Sequence, residues 1–119
     1  MIVELHFAIA WAETMTTTLS PDAEFAVRSI PDPERGPVAR AIEALPQSVE
    51  KWRRAPKPSK IRRLRGRVGG REAFALRAGD FRIIFSLNPG TNGLFVVNVL
   101  HKARLEQFAN GSEPTTNAG

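Results

Sequence analysis

Basic side chains are concentrated in one segment of the sequence. No acidic residue lies between Glu50 and Glu72, although this interval is rich in arginine and lysine. The guanidinium fork of arginine fits phosphate oxygens better than the lysine ammonium does. An unbroken run of like charge repels itself, so it indicates a surface that binds a polyanion: RNA, DNA or an acidic protein segment. The run consists of Lys51, Arg53, Arg54, Lys57, Lys60, Arg62, Arg63, Arg65, Arg67 and Arg71.

A second set of cations flanks a predicted hairpin and the strand that follows it. Arg77 and Arg82 lie on either side of the turn signal Ala78-Gly79-Asp80, and His101 and Lys102 follow the next apolar run. Such arginines could form the solvent face of a half-buried sheet. Alternatively, three adjacent strands could bring these groups to one concave surface. Histidine exchanges protons near neutral pH, so His101 is the candidate acid or base.

Composition limits the classes of function. The 119 residues fit one domain, and their net charge of +5 favours polyanionic partners. The absence of cysteine excludes disulfides, zinc–thiolate sites and thiol nucleophiles. The apolar start, Met1–Trp11, has no basic n-region and is too short to span a bilayer. The sequence predicts a cytoplasmic protein without a membrane segment, a metal site or a cofactor.

The first half of the domain predicts one strand and a helical hairpin. Residues 16–19 are β-branched and read as a strand, after which Ser20 caps a first helix that Pro31 ends. A second helix is predicted from Asp32, and Pro46 ends it or kinks it. The apolar stripe of this second helix is Val38, Ile42 and Leu45.

The second half predicts a β-meander with apolar residues at a period of two. Residues 72–78, 81–87 and 94–100 are separated by turn signals, and residues 101–108 read as a short helix. The expected fold is α+β: a two-layer structure with an antiparallel four-stranded sheet, the helical hairpin on one face and a short C-terminal helix. The predicted core includes Phe25, Ile42, Leu45, Phe74, Leu76, Ile83, Phe85, Val97 and Val99.

The predicted domain covers residues 15–109. Residues 1–14 are expected to be an extension, with either Met1 or Met15 as the working start. The tail, 110–119, is polar and rich in small residues, so it is expected to be disordered.

Three segments of the sequence resemble the RelE/ParE toxin superfamily. The first is Leu64-Arg65-Gly66, which resembles the leucine-lysine/arginine-glycine element of that family. The second is the hairpin 74–85, with arginine, a small residue, glycine, aspartate, an aromatic residue and arginine around its turn. The third is the last strand, leading into residues 101–108. The junction Leu19–Glu24 is also similar, so the resemblance covers about residues 16–108.

The resemblance implies the toxin of a type II toxin–antitoxin pair, with a cognate antitoxin encoded by an adjacent gene. RelE-like members cut mRNA on the ribosome without metal, because the 2′-hydroxyl of the RNA attacks the adjacent phosphate. ParE-like members inhibit DNA gyrase instead. The main hypothesis is therefore an mRNA endoribonuclease. The alternative is a ParE-like or degenerate toxin that binds its antitoxin and cuts nothing. A plain RNA-binding module is a third reading.

The site residues implied by the resemblance are carried over position by position. Arg82 matches the phosphate-stabilising arginine of the hairpin, and Lys102 falls at the second catalytic arginine of RelE-like members. Phe108 falls at their terminal tyrosine, and Ala73 and Ala75 fall at their strand lysines; this chain has no tyrosine. The predicted catalytic residues are Arg82, His101 and Lys102. The predicted nucleic-acid-binding residues are Arg62, Arg63, Arg65, Arg67, Arg71, Arg77 and Arg104.

Overall fold

The computed structural model describes residues 15–54, 60–68, 70–88 and 93–105. The predicted extension 1–14, the tail 110–119 and Phe108 lie outside these ranges. The elements in chain order are β1 (Thr16–Leu19), α1 (Pro21–Ser29), α2 (Arg35–Glu43), α3 (Leu45–Arg54), β2 (Ile61–Val68), β3 (Arg71–Ala78), β4 (Phe81–Asn88) and β5 (Gly93–His101). Residues 102–105 form one helical turn after β5.

The sheet has five strands in the order β1-β5-β4-β3-β2, so the prediction of four strands is wrong. The additional strand is β2, which comes from the basic run. Its pairing with β3 shifts between Arg63 and Arg67, and this irregularity breaks the period of two that identifies strands. β2 to β5 are antiparallel neighbours, as the meander predicts, whereas β1 pairs with β5 in parallel.

Three helices, rather than a hairpin of two, cover one face of the sheet, which we call the helix face. Pro46 is the second residue of α3, where the first turn of a helix tolerates proline because that N–H has no intrahelical partner. The preceding helix therefore ends rather than bending, and a new helix starts at Leu45. None of the helices in the described ranges has the length and apolar character needed to cross a membrane.

The main core lies between the helices and the sheet. Predicted core residues on both sides of it are buried, among them Leu45 on α3 and Phe85 on β4. Phe25 is a wrong prediction, since its side chain is 69% exposed. Ala23, Val27 and Ile30 recur at helical spacing and face the sheet, which leaves Phe25 on the outer side of α1. The remaining predicted residues of this core are Ile42, Phe74, Leu76, Ile83 and Val99.

A second, smaller core covers part of the opposite face of the sheet. The alanines of β3, Ala73 and Ala75, are buried there beside Ile84. Leu64 of β2 and Leu105 of the C-terminal turn belong to the same cluster. Leu100 completes it, and Val97 is half-buried against it. β3 and β4 are therefore buried on both faces along their middle.

Ser20 connects α1 to the sheet through three hydrogen bonds. Its Oγ accepts from the N–H of Ala23 at 3.0 Å, as an N-cap side chain does, and donates to the carbonyl of Val97 at 2.6 Å. Its backbone N–H donates to the carbonyl of Val96 at 2.9 Å. The predicted cap is confirmed, and it also fixes the helix to β5.

Replacing Phe85 with alanine tests the main core. The side chain is fully buried and stacks on Phe74 with 5.6 Å between ring centroids, so Phe85→Ala should cost about 3–5 kcal/mol of unfolding free energy. Phe25→Ala removes the same atoms from an exposed site and should change stability by less than about 0.5 kcal/mol. Urea unfolding of both variants measures the difference, and equal midpoints would contradict the assignment of the inward face.

Replacing Ser20 with alanine tests the junction of α1 and β5. Loss of an N-cap side chain costs about 0.5–2 kcal/mol, and the upper half of that range is expected because the bond to Val97 is lost as well. Ser29→Ala is the matched control, since its hydroxyl bonds only to Phe25 within the exposed last turn of α1. A Ser20→Ala protein as stable as the Ser29→Ala protein would show that the cap does not hold the helix to the sheet.

Candidate nucleic-acid interface

The β3–β4 hairpin places Arg77 and Arg82 directly opposite one another. Its two-residue turn contains Gly79 with a φ of +63°, a conformation that glycine adopts without strain. One guanidinium nitrogen of Arg82, Nη1, donates to the carbonyl of Gly79 at 3.0 Å and to that of Phe81 at 2.9 Å. The turn thus fixes one end of the Arg82 guanidinium.

Lys102 is held beside the same turn. Its backbone N–H donates to the carbonyl of Asp80 at 2.8 Å, and its Nζ lies 3.5 Å from the Asp80 carboxylate. Both side chains are more than half exposed, so the ion pair contributes little to stability. Its effect is positional: the backbone bond fixes where the chain leaves β5, and the carboxylate keeps the ammonium near the hairpin.

Two further cations, Lys60 just before β2 and Arg62 within it, lie on the face of the sheet opposite the helix face. The N–H of Arg77 donates to the carbonyl of Lys60 at 2.9 Å, and Arg62 is the pairing partner of Ala75. Ala75 itself is buried in the second core and lies between β2 and β4.

Together these residues form a concavity of about 580 Å³, which we call the cationic groove. The described lining residues include five cations and no carboxylate, imidazole or phenol. Five positive charges on one surface create a potential that attracts a polyanion and strengthens each contact with phosphate. The lining residues are Lys60, Arg62, Ala75, Arg77, Arg82, Lys102, Ala103 and Leu105.

His101 does not lie in the cationic groove. It pairs with Phe81, and its ring packs edge-on against the Phe81 ring with 5.5 Å between centroids. Phe81 packs against the main core, on the helix face, whereas Arg82 projects from the opposite face. The Nδ1 of His101 accepts from the N–H of Ala103 at 3.1 Å. The structure therefore brings Arg82 and Lys102 together and leaves His101 apart.

The predicted nucleic-acid-binding arginines divide between several locations. Arg62 and Arg77 line the cationic groove, and Arg104 is exposed on the helical turn. The remaining four lie toward the β2–β3 turn. The guanidinium of Arg63 lies 5.9 Å from the centre of the Phe74 ring and 3.7 Å from the Glu72 carboxylate. Arg67 donates to the carbonyl of Gly70 at 2.7 Å. Arg65 is exposed, and Arg71 is the first residue of β3.

Two residues at or beside the cationic groove were absent from the predicted site. Lys60 belongs to the basic run, but only the extension of the β2–β3 pairing shows that it shares a surface with Arg77. Asp80 is part of the hairpin signature, and its contact with Lys102 joins the β3–β4 turn to the segment that follows β5. Within the described ranges, no group of three or more His, Asp or Glu side chains is arranged to hold a metal ion.

Comparison with solved structures agrees with this architecture, whereas two other comparisons found no match. No protein-family model matches the chain, and no curated protein matches it significantly. Solved structures do match. A chain of the archaeal RelE–RelB complex from Pyrococcus horikoshii OT3 matches with a TM-score of 0.54 and 19% identity, over 76% of this chain and 98% of that chain.

Two further structures support the same fold. A chain of the RelBE2 toxin–antitoxin complex from Mycobacterium tuberculosis gives a TM-score of 0.54 and 17% identity, over 74% of this chain and 98% of that one. A chain of the RelB–RelE antitoxin–toxin complex from Methanococcus jannaschii gives a TM-score of 0.50 and 14% identity, over 76% of this chain and 96% of that one. The chain therefore shares its fold with chains of these RelE–RelB complexes, in agreement with the resemblance carried by its β3–β4 hairpin.

Proposed function

We propose that this protein is the toxin of a type II toxin–antitoxin system and that its cationic groove binds RNA. The observation that carries the proposal is the convergence of Lys60, Arg62, Arg77, Arg82 and Lys102 on one concave surface of a RelE-type fold. An RNA strand carries regularly spaced phosphates that such a surface neutralises, and binding releases condensed counterions. The proposed target is mRNA on translating ribosomes in the cytoplasm.

In the proposed reaction, the 2′-oxygen of one nucleotide attacks the phosphorus that follows it, and the bond to the 5′-oxygen breaks. The 2′-hydroxyl loses its proton, the leaving 5′-oxygen gains one, and negative charge accumulates on the pentacoordinate phosphate. Arg82 and Lys102 stabilise that charge, because both are positioned before the substrate binds. The pentacoordinate phosphate carries more negative charge than the phosphodiester of the bound substrate, so these residues stabilise the transition state more than the ground state.

A toxin that binds without cutting is the second candidate. It is favoured by the residue types of the cationic groove, whose described lining provides cations and apolar groups only. The chain has no tyrosine, and His101 lies on the other face of the sheet. Proton transfer in a cleaving enzyme would then depend on a lysine amine of the groove or on a group of the ribosome. Growth arrest without RNA cleavage is the phenotype that this candidate predicts.

Replacing Arg82 with alanine tests the catalytic proposal. The variant should cleave mRNA on saturating ribosomes more slowly than the wild type by about a hundredfold or more, since one preorganised charge is lost. Arg28→Ala removes the same charge from the exposed end of α1 and should keep the wild-type rate. Primer extension on stalled ribosomes gives the rates. Full activity in Arg82→Ala would exclude the cationic groove as the catalytic site, and growth arrest by a wild-type protein that cuts no RNA would support the second candidate.

The proposed antitoxin should be found in the adjacent reading frame. Tagged protein should co-purify with that gene product, and its apparent affinity should fall steeply as salt is raised, because exposed arginine–carboxylate pairs are screened. Co-expression should also restore growth. An association that is unaffected by salt, or the absence of any interacting product from that frame, would contradict the proposal.

A further inference from the structure

The cations of the cationic groove form a row across the strands of the sheet. The N–H of Arg77 donates to the carbonyl of Lys60 at 2.9 Å, and Arg77 pairs with Arg82 on the next strand. Lys102 extends the row past Arg82, because it follows β5, the neighbour of β4 on the other side. Adjacent strands lie about 4.8 Å apart, so the backbone distance from Lys60 to Arg82 is about 10 Å. The row is therefore longer than a single phosphate group.

The two ends of this row differ in how their charge is compensated. At the β4 end, two backbone carbonyls accept from Arg82, and the Asp80 carboxylate lies 3.5 Å from the Nζ of Lys102. At the β2 end, neither Lys60 nor Arg62 takes part in any of the three ion pairs found within the described ranges. Positive charge that no protein carboxylate compensates remains available to an anionic ligand.

The cationic groove is open across the strands and closed along them. On the face of Arg77, the next residue of β3 is Ala75, which is 2% exposed, and Ala73 beyond it is fully buried. On β4, Ile84 follows Arg82 on the same face and is fully buried as well. A strand of RNA aligned with β3 would leave the cations and meet this second core. A strand aligned across the sheet follows the row.

The number of cations also exceeds what one phosphate requires. A phosphodiester carries one negative charge, whereas five cations line the cationic groove. The described lining contains no aromatic side chain, so bases gain no stacking energy there and the phosphates supply the binding energy. Each further phosphate that is neutralised releases condensed counterions, so a surface with charge at both ends binds two successive phosphates more tightly than one.

We infer that the cationic groove binds two successive phosphates of an RNA strand in separate subsites, so that the RNA crosses the β-strands. The scissile phosphate lies in the first subsite, between Arg82 and Lys102. The neighbouring phosphate lies in the second subsite, between Lys60 and Arg62, and Arg77 separates the two. The inference rests on the proposed function, because it specifies how the RNA of that function is aligned. The second subsite holds the substrate and takes no part in proton transfer or in stabilising the transition state.

Trinucleotides with one or two charged phosphates test the second subsite on the full chain. The probes are 2′-O-methylated UpUpU, which cannot be cleaved, and the same trinucleotide with either phosphodiester replaced by a neutral methylphosphonate. Calorimetry should show that the wild type binds the doubly charged probe about tenfold more tightly than either neutralised one. K60A/R62A should reduce this preference to less than about twofold, because the second phosphate then meets no cation of β2. R28A/R40A removes two charges from exposed sites on α1 and α2 and should keep the wild-type preference.

Three outcomes for the variants would overturn the inference. An undiminished preference in K60A/R62A would show that β2 holds no phosphate, and an equal loss in R28A/R40A would mean that net charge alone is recognised. A lower saturated rate of mRNA cleavage on ribosomes in K60A/R62A would show that these residues act in the reaction itself. Thermal unfolding checks the fold of each variant, and Lys60→Ala replaces K60A/R62A if that protein is unfolded.

The wild type alone separates this inference from the proposed function. RNA binding by the wild type without any preference for two phosphates would overturn the inference and leave the proposed function in place. A wild type that binds none of the trinucleotides and no longer RNA would overturn the proposed function, and the inference with it.

Discussion

The register of the β3–β4 hairpin is the constraint on which the rest of the structure depends. Side chains alternate along a strand, so a slip of one residue would exchange the two faces of both strands. In the observed register Phe74 pairs with Phe85 on the helix face, and Arg77 pairs with Arg82 at the open end of the other face. Burial on both faces makes any other register costly, since arginine would enter a core. The same contacts that stabilise the fold therefore position the cations.

This register also places two like charges directly opposite one another, which destabilises a sheet locally. The cost is partly offset by the carbonyls of Gly79 and Phe81, which accept from Arg82. A locally unfavourable contact of this kind is typical of functional sites, where residues are positioned for binding rather than for stability. Hairpin geometry thus links the stability of the sheet to the electrostatics of the groove.

Much of the fold follows from periodicity, and the exceptions have identifiable causes. The meander, the Ser20 cap and the helix face could be predicted because each has a regular pattern or a specific residue type. β2 could not, since its irregular pairing hides the alternation and its arginines read as a loop. Phe25 could not be placed from its large apolar side chain, because the helix turns Ala23, Val27 and Ile30 toward the sheet instead.

Most cations of the cationic groove could be predicted from the sequence, but which of the predicted residues lie together could not. Arg82 and Lys102 were predicted from the family resemblance, and both line the cationic groove. His101 is adjacent to Lys102 in sequence, but His101 is the last residue of β5 and packs against Phe81, whereas Lys102 begins the helical turn and lines the cationic groove. The basic run appears continuous in sequence, but an eight-residue strand distributes it along the length of the sheet. Arg62 consequently lines the cationic groove, whereas Arg67 lies near the β2–β3 turn.

The position of β2 at the edge of the sheet has a consequence for self-association. An edge strand offers unpaired backbone groups to any other edge, including that of an identical molecule. Two β2 strands brought side by side would align arginines with arginines, and the irregularity between Arg63 and Arg67 would disturb the hydrogen-bond ladder. The positive charge of β2 thus protects this edge against the growth of an extended intermolecular sheet.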